Sequence, residues 1–246
     1  MAQLFIENLT VIDFSYACPE RGIVGASWIV DIVLHGGLDE QGMVFDFGDV
    51  KKSVKQFIDD EFDHKLWLNK QLPYLSLDTD NVQLTAQWNN NKGQAYLHES
   101  PCDAVIMLDT GNIDTNTIAP VVAERIKTIL PSNVTGVDIV LREEVINGAQ
   151  YCYTHGLQKH LGNCQRIAHG HRSRIEVLVD GKRSEELEAY WAKEWKDVYL
   201  ASESHIVRRS EDHTQLKYEA QQGHFRLRLP NEHVFVFDIV STVENI

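Results

Sequence analysis

The chain repeats itself, and no other feature constrains its fold as tightly. Phe14-Ser-Tyr-Ala-Cys18 is matched by Tyr151-Cys-Tyr-Thr-His155, and Ile29-Val-Asp-Ile-Val-Leu-His-Gly36 by Arg174-Ile-Glu-Val-Leu-Val-Asp-Gly181. Further on, Val82-Gln-Leu-Thr-Ala86 and Asp103 to Asp109 resemble Thr214-Gln-Leu-Lys-Tyr218 and His233 to Asp238. Each half therefore reads strand, strand, helix, a hairpin-like insertion, then a short apolar strand. The first half continues through a helix (117–130) and a final strand (137–141). The second stops at Ser241-Thr-Val-Glu-Asn-Ile246, which leads us to expect that the sequence lacks its natural C-terminus. We place the first copy at 1–147 and the second at 148–246, with the boundary near Ile146-Asn-Gly148.

The helices follow from apolar spacing. Asp49 is positioned to cap a helix whose inward face is Val50, Val54, Phe57 and Ile58. Ile118, Val121, Val122, Ile126 and Ile129 form a second stripe, with Pro120 expected near its first turn, where a missing N–H is harmless. Leu187, Trp191, Trp195 and Val198 form a third, read as a core face. Asn89-Asn-Asn-Lys-Gly93, between alternating segments, predicts a hairpin loop.

Chemistry concentrates in the second copy. His169 and His171 lie two apart at the start of an alternating run (Ile175, Val177, Val179), so they share one face of a strand. His155 lies in the run 151–157, which can pair antiparallel beside that strand and add a third imidazole. Three imidazoles leave one position open on a tetrahedral ion, the arrangement of a catalytic zinc. Cys164 completes the cluster. The competing reading is a surface cluster in a chain with 11 histidines.

Composition excludes rather than identifies. The net charge of −13 argues against nucleic acid or an anionic membrane as the main partner. The four cysteines (Cys18, Cys102, Cys152, Cys164) form no C-x-x-C pair, which suggests reduced thiols and a cytoplasmic protein. No run reaches the length of a membrane span, and the N-terminus does not read as a secretion signal.

Five motifs in order resemble the 6-pyruvoyl-tetrahydropterin synthase and 6-carboxytetrahydropterin synthase family. The first copy carries Gly42-Met-Val-Phe-Asp-Phe-Gly-Asp-Val-Lys-Lys52 and Phe62-Asp-His-Lys-Leu-Trp-Leu-Asn69. The second carries Cys164, His169-Gly-His171 and Ser241-Thr-Val-Glu-Asn245. The resemblance implies an α+β chain of two tandem tunnelling-fold units, each an antiparallel sheet with helices on one face, the second cut short. It implies zinc on His155, His169 and His171, Cys164 as the base, and Asp63 with His64 as a pair supplied by a neighbouring subunit. Within the second copy, Thr242 and Glu244 are its candidates to line the substrate pocket. Glu143 and Glu144 stand where the family places a pterin-anchoring carboxylate, but in the first copy. Lys159, Arg166, Arg172 and Arg174 are cations near the site in sequence.

Each copy departs from the family in a complementary way. The first has Cys18 where we align His155, and Val24 and Ala26 where the second has His169 and His171. The second has no Asp-Phe-Gly-Asp motif, and we align Ser204-His205 with Asp63-His64. One full set of site residues survives, divided between copies, which fits a tandem duplication in which copy one serves copy two. Three chains would then reproduce a six-unit ring pair, a homo-oligomer with three zinc sites rather than six. The function this implies is a zinc-dependent lyase acting on 7,8-dihydroneopterin triphosphate, forming 6-carboxytetrahydropterin for the queuosine and deazapurine pathway. The alternatives are the pyruvoyl-forming reaction and a catalytically degenerate pterin-binding protein. No H-E-x-x-H signature supports a zinc hydrolase.

Overall fold

The structure is a computed structural model, and it describes residues 2–38, 40, 42–46, 48 and 50–236. The first repeat contributes β1 (Ala2–Cys18), β2 (Gly22–Gly36), α1 (Lys55–Glu61), β3 (Leu66–Asn69), β4 (Ser76–Thr79), β5 (Gln83–Asn89), β6 (Ala95–Pro101), β7 (Val105–Leu108), α2 (Thr115–Ile126) and β8 (Val134–Arg142). The second contributes β9 (Gln150–His155), β10 (His169–Arg174), the short strands β11 (Leu178–Val179) and β12 (Lys182–Arg183), and α3 (Glu185–Glu194). It continues with β13 (Val198–Ala201), β14 (Ile206–Arg209), β15 (His213–Ala220), β16 (Gly223–Pro230) and β17 (Val234–Val236). Apart from β11 and β12, the order of elements is the same in both repeats as far as β7 and β17, as the internal similarity predicts.

The chain divides into two compact units that do not follow the repeats. Unit 1 holds residues 1–12, 27–63 and 110–145. Unit 2 holds residues 13–26, 64–109 and 146–246. The strands β1 and β2 run through both.

In unit 1, β2 pairs antiparallel with β8 from Ile29↔Arg142 onward. Arg142 Nε donates to Asp31 Oδ2 at 2.8 Å across that ladder, and Asn8 N–H donates to the same carboxylate. The helix α2 opens on a capping box, with Asp114 accepting from the amides of Asn116 and Thr117. It buries Ile118, Val122, Ala123 and Ile126. Pro120 lies inside this helix rather than at its start. The cap at Asp114 begins the helix earlier than the apolar stripe alone suggests. Of the first stripe, Val50, Val54 and Ile58 are fully buried, while the expected cap Asp49 falls outside the described residues.

In unit 2, parallel and antiparallel pairings are mixed. β9 pairs antiparallel with β10 but parallel with β13, and β13 pairs parallel with β17. The first repeat builds the same motif, with β1 parallel to β3 and β3 parallel to β7. Each parallel pair is joined by a long crossover: strand and helix for β1–β3 and β9–β13, and a hairpin insertion for β3–β7 and β13–β17. The two hairpin insertions, β4–β6 and β14–β16, join in one six-stranded sheet through β16 and β6, with Leu227 opposite His98. One core draws on both repeats, with Trp88, Tyr96 and Leu66 packed among Tyr199, Leu216, Phe225 and Leu227. Burial of this kind contributes roughly 1.5–3 kcal/mol per large apolar side chain. The loop predicted around Asn89–Gly93 closes β5 on β6, with the Asn90 carboxamide oxygen accepting the amides of Lys92 and Gln94.

The third apolar stripe is corrected. α3 ends at Glu194, and Val198 belongs to β13. Leu187 and Tyr190 are exposed, and the residue α3 buries is Glu188. Its carboxylate takes both arms of Arg183, at 2.7 and 2.8 Å. Trp195, at the end of the helix, packs against Trp191, Tyr151 and Phe235.

Candidate metal centre

The antiparallel register of β9 and β10 sets His155 directly opposite His169, with His171 opposite Tyr153. One ring nitrogen from each of His155, His169 and His171 lies within 4.8 Å of the others. His155 Nε2 and His171 Nε2 face each other at 3.0 Å. His169 is fully buried; its Nδ1–H donates to the Arg166 carbonyl at 2.9 Å, and its Nε2 has no protein partner. A buried polar nitrogen without a partner costs free energy, so an arrangement that leaves Nε2 bare calls for a ligand there.

Burial also sets the protonation state. The His155 imidazolium is pushed down to about 3, first by burial and then by His171 and His64. His169 is held well below the usual imidazole range, first by burial and then by His155, His64 and His171. These two rings are neutral near pH 7, the form that ligates a metal. The donor set therefore fits zinc: three imidazole nitrogens lie close together, a set that leaves one tetrahedral position for a further ligand.

His64 and Cys164 join the same centre. A ring nitrogen of His64, the thiol of Cys164 and a ring nitrogen of His169 form a second group within 4.8 Å. The His64 ring lies 4.8 Å from the His169 ring, centroid to centroid. Cys164 sits on the long loop from β9 to β10, which the second insertion braces. Tyr218 Oη donates to the Gln165 carbonyl at 2.7 Å, Gln222 N–H donates to Gln165 Oε1, and Gln158 Nε2 donates to the Glu219 carbonyl. Leu157 N–H to Cys164 O, at 2.9 Å, closes the loop at its base.

Gly170, between the two histidines, is required by close packing. A Cβ there would lie 2.3 Å from Gly25 Cα, and a Cβ on Gly25 would lie 1.9 Å from the Tyr153 carbonyl oxygen. The two backbones approach where only hydrogen fits.

Asp63 belongs to unit 1, where its amide bonds to the Ile58 carbonyl at the end of α1. Thr242 and Glu244 lie outside the described residues. Arg166 is buried and paired with Asp103 at 3.0 Å. Arg174 pairs with Glu176, and Arg172 donates to Gln150. Sequence reasoning missed Asp13, whose Oδ1 lies 3.3 Å from His171 Nδ1.

Strand registers also correct the alignment of the repeats. Pro101 and Pro230 each lead through a single 3-10 turn to Val105 and Val234. Val105 pairs with Leu66 and Val234 with Tyr199; Leu66 pairs with Ser15 and Tyr199 with Thr154. Ser15 is thus the equivalent of Thr154, Tyr16 of His155, Asp13 of Cys152, and Asp197 of His64. Cys18 and Ser204-His205 are displaced from the positions first assigned to them. At this second, equivalent centre Arg21 forks onto Asp197 and reaches Tyr16 Oη, and the connecting loop has shrunk to a three-residue turn. Burial pushes the Tyr16 phenol up to about 12. Tyr16 stands in the place of His155, and the Arg21–Asp197 ion pair lies beside it.

Fold and site together define a tandem α+β protein with a histidine-rich centre assembled from both repeats. The family described as 6-pyruvoyl tetrahydropterin synthase matches residues 15–152 and again 144–246, so the chain belongs to this family and carries it twice. A protein of Methanocaldococcus jannaschii named "Putative 6-carboxy-5,6,7,8-tetrahydropterin synthase" is 29% identical over 139 residues, 54% of this chain and 82% of its own. One of the same name from Pyrococcus horikoshii is 24% identical over 150 residues, 58% of this chain and 82% of its own. The solved 6-pyruvoyl tetrahydropterin synthase of Plasmodium vivax is 16% identical, with a TM-score of 0.42, over 58% of this chain and 98% of that one. No helix among the described residues is long and apolar enough to cross a membrane.

Proposed function

We propose that the chain is a zinc-dependent lyase acting on 7,8-dihydroneopterin triphosphate and forming 6-carboxytetrahydropterin, the precursor of queuosine and other deazapurines. The observation that carries this reading is the convergence of His155, His169 and His171 beside Cys164 and His64. The names borne by the two archaeal relatives favour the carboxy product over the pyruvoyl one.

His155, His169 and His171 would hold the metal. When bound, zinc polarises substrate oxygens and acidifies the adjoining C–H. Cys164, on its braced loop, takes that proton as thiolate, and His64, in the same cluster, exchanges a second proton, with Asp63 orienting it. Thr242 and Glu244, outside the described residues, are our candidates for contacting the substrate. The two copies, 1–147 and 148–246, would share this labour, with copy one giving Asp63 and His64 and copy two giving the metal ligands. The working form would be a homo-oligomer of three chains in the cytoplasm, a compartment that suits four cysteines outside any disulfide.

The test is direct. Zinc-loaded protein is incubated with 7,8-dihydroneopterin triphosphate and the products are identified by mass spectrometry. A 6-carboxy product is expected. A 6-pyruvoyl product would reassign the reaction, and untouched substrate would reject the lyase reading.

A further inference from the structure

We propose that Asp13 is a positioning residue for the metal centre, holding the His171 ring in place from the other repeat. The inference rests on the reading of the three histidines as metal ligands. Asp13 Oδ1 lies 3.3 Å from His171 Nδ1, while His171 Nε2 faces His155 Nε2 at 3.0 Å. An ionised carboxylate only accepts hydrogen bonds, so the shared proton resides on Nδ1 and Nε2 keeps its lone pair for the metal. A carboxylate at this place also resists the ring flip that would turn the wrong nitrogen inward. His169 is oriented the same way through a different acceptor, the Arg166 carbonyl at 2.9 Å.

Two further observations support this assignment. The Asp13 carbonyl accepts the His64 amide at 2.7 Å, so one residue ties the main chain at His64 to the side chain of His171. The second repeat provides an internal contrast. Its equivalent residue, Cys152, keeps the main-chain bond, accepting the Asp197 amide at 2.8 Å. Ala26, however, which aligns with His171, has no ring to orient. The carboxylate is found where its target is found, and both are replaced where the metal ligands are replaced. Groups that accept a hydrogen bond from the outer nitrogen of a ligand histidine are commonly worth about 10–100-fold in metal affinity.

The experiment is zinc affinity, by competition against a chromophoric chelator, for wild-type protein, Asp13→Ala, Asp13→Asn and His171→Ala, with the thermal midpoint of each metal-free protein. We expect Asp13→Ala to bind zinc about 10–100-fold more weakly at an unchanged metal-free midpoint. Asp13→Asn, whose amide oxygen still accepts from Nδ1–H, should stay close to wild type. Wild-type affinity in Asp13→Ala, or an Asn variant as weak as the Ala variant, overturns the assignment while leaving the metal reading intact. Failure of the wild-type protein itself to bind zinc overturns both. Should the Ala variant not fold, the Asn variant against His171→Ala decides: affinity as poor as that of His171→Ala rejects the role.

Discussion

His64 and Asp197 occupy the same place in two copies of one turn. Each follows the end of a helix, each has a left-handed backbone (φ of 53° and 63°), and each donates its amide to the neighbouring strand, at 2.7 and 2.8 Å. Such a conformation is uncommon for a residue with a side chain, and its recurrence marks the position as one the fold requires. At one copy the side chain is an imidazole beside three histidines. At the other it is a carboxylate beside an arginine. The same scaffold thus presents two centres of different chemistry.

Metal stoichiometry follows from this pair. The second centre offers Tyr16, Val24 and Ala26 in place of the three histidines, and Arg21 already holds Asp197. We expect one zinc per chain by elemental analysis of protein purified without added metal. A ratio of two per chain would mean that another set of ligands exists and would sink this account.

Ligand and base should separate by mutation. His169→Ala removes a fully buried imidazole from the proposed ligand set and should abolish zinc binding together with turnover. Cys164→Ala should keep its zinc and lose about two to four orders of magnitude in turnover, the usual worth of a positioned base. His64→Asn should behave like the cysteine variant. Full zinc occupancy in His169→Ala would discard the ligand assignment.

Much of this was legible in the sequence, and the part that was not has a definite cause. The His155, His169 and His171 face followed from period-two alternation, which fixes the face of a strand without fixing its partner. That ambiguity produced the misalignment. Cys18 and Tyr16 are two apart on one strand, so either satisfies the same pattern, and only the pairing of β1 with β3 decides between them. Val198 continued the spacing of Leu187, Trp191 and Trp195, but Asp197 turns the chain left-handed before it. Asp13 carried no local signal, because its target lies on a strand of the other repeat. Once Asp13 is aligned with Cys152, a lone carboxylate opposite the H-G-H strand becomes a visible cue.

The glycine between His169 and His171 should prove unforgiving. Gly170→Ala would place a methyl group 2.3 Å from Gly25 Cα and 2.8 Å from the Tyr153 carbonyl oxygen. Neither contact is with a flexible side chain, so the strands must separate. Overpacking of this kind costs about 1–3 kcal/mol. A lower urea midpoint with weakened zinc binding is expected, and a fully wild-type midpoint would contradict the close approach of β2 and β10.

Acid should weaken the metal-free protein through its buried histidines, and His98 isolates the effect from the metal centre. It is buried in the insertion sheet, with Nε2 2.9 Å from Ser100 Oγ, and burial pushes its imidazolium down to about 3. The unfolded chain takes up this proton near the ordinary value of about 6.5, while the folded chain refuses it. Stability from this group is therefore complete above about pH 6.5 and falls as the pH drops from there toward 3, by about 1.4 kcal/mol per pH unit for one proton. His155 and His169 act in the same direction when no metal is bound. Urea midpoints of chelator-treated protein at a series of pH values should fall along this course. His98→Gln, which removes one of these protons, should make the fall shallower by that one-proton slope. An unchanged slope in the variant would show that His98 is not held neutral in the folded chain.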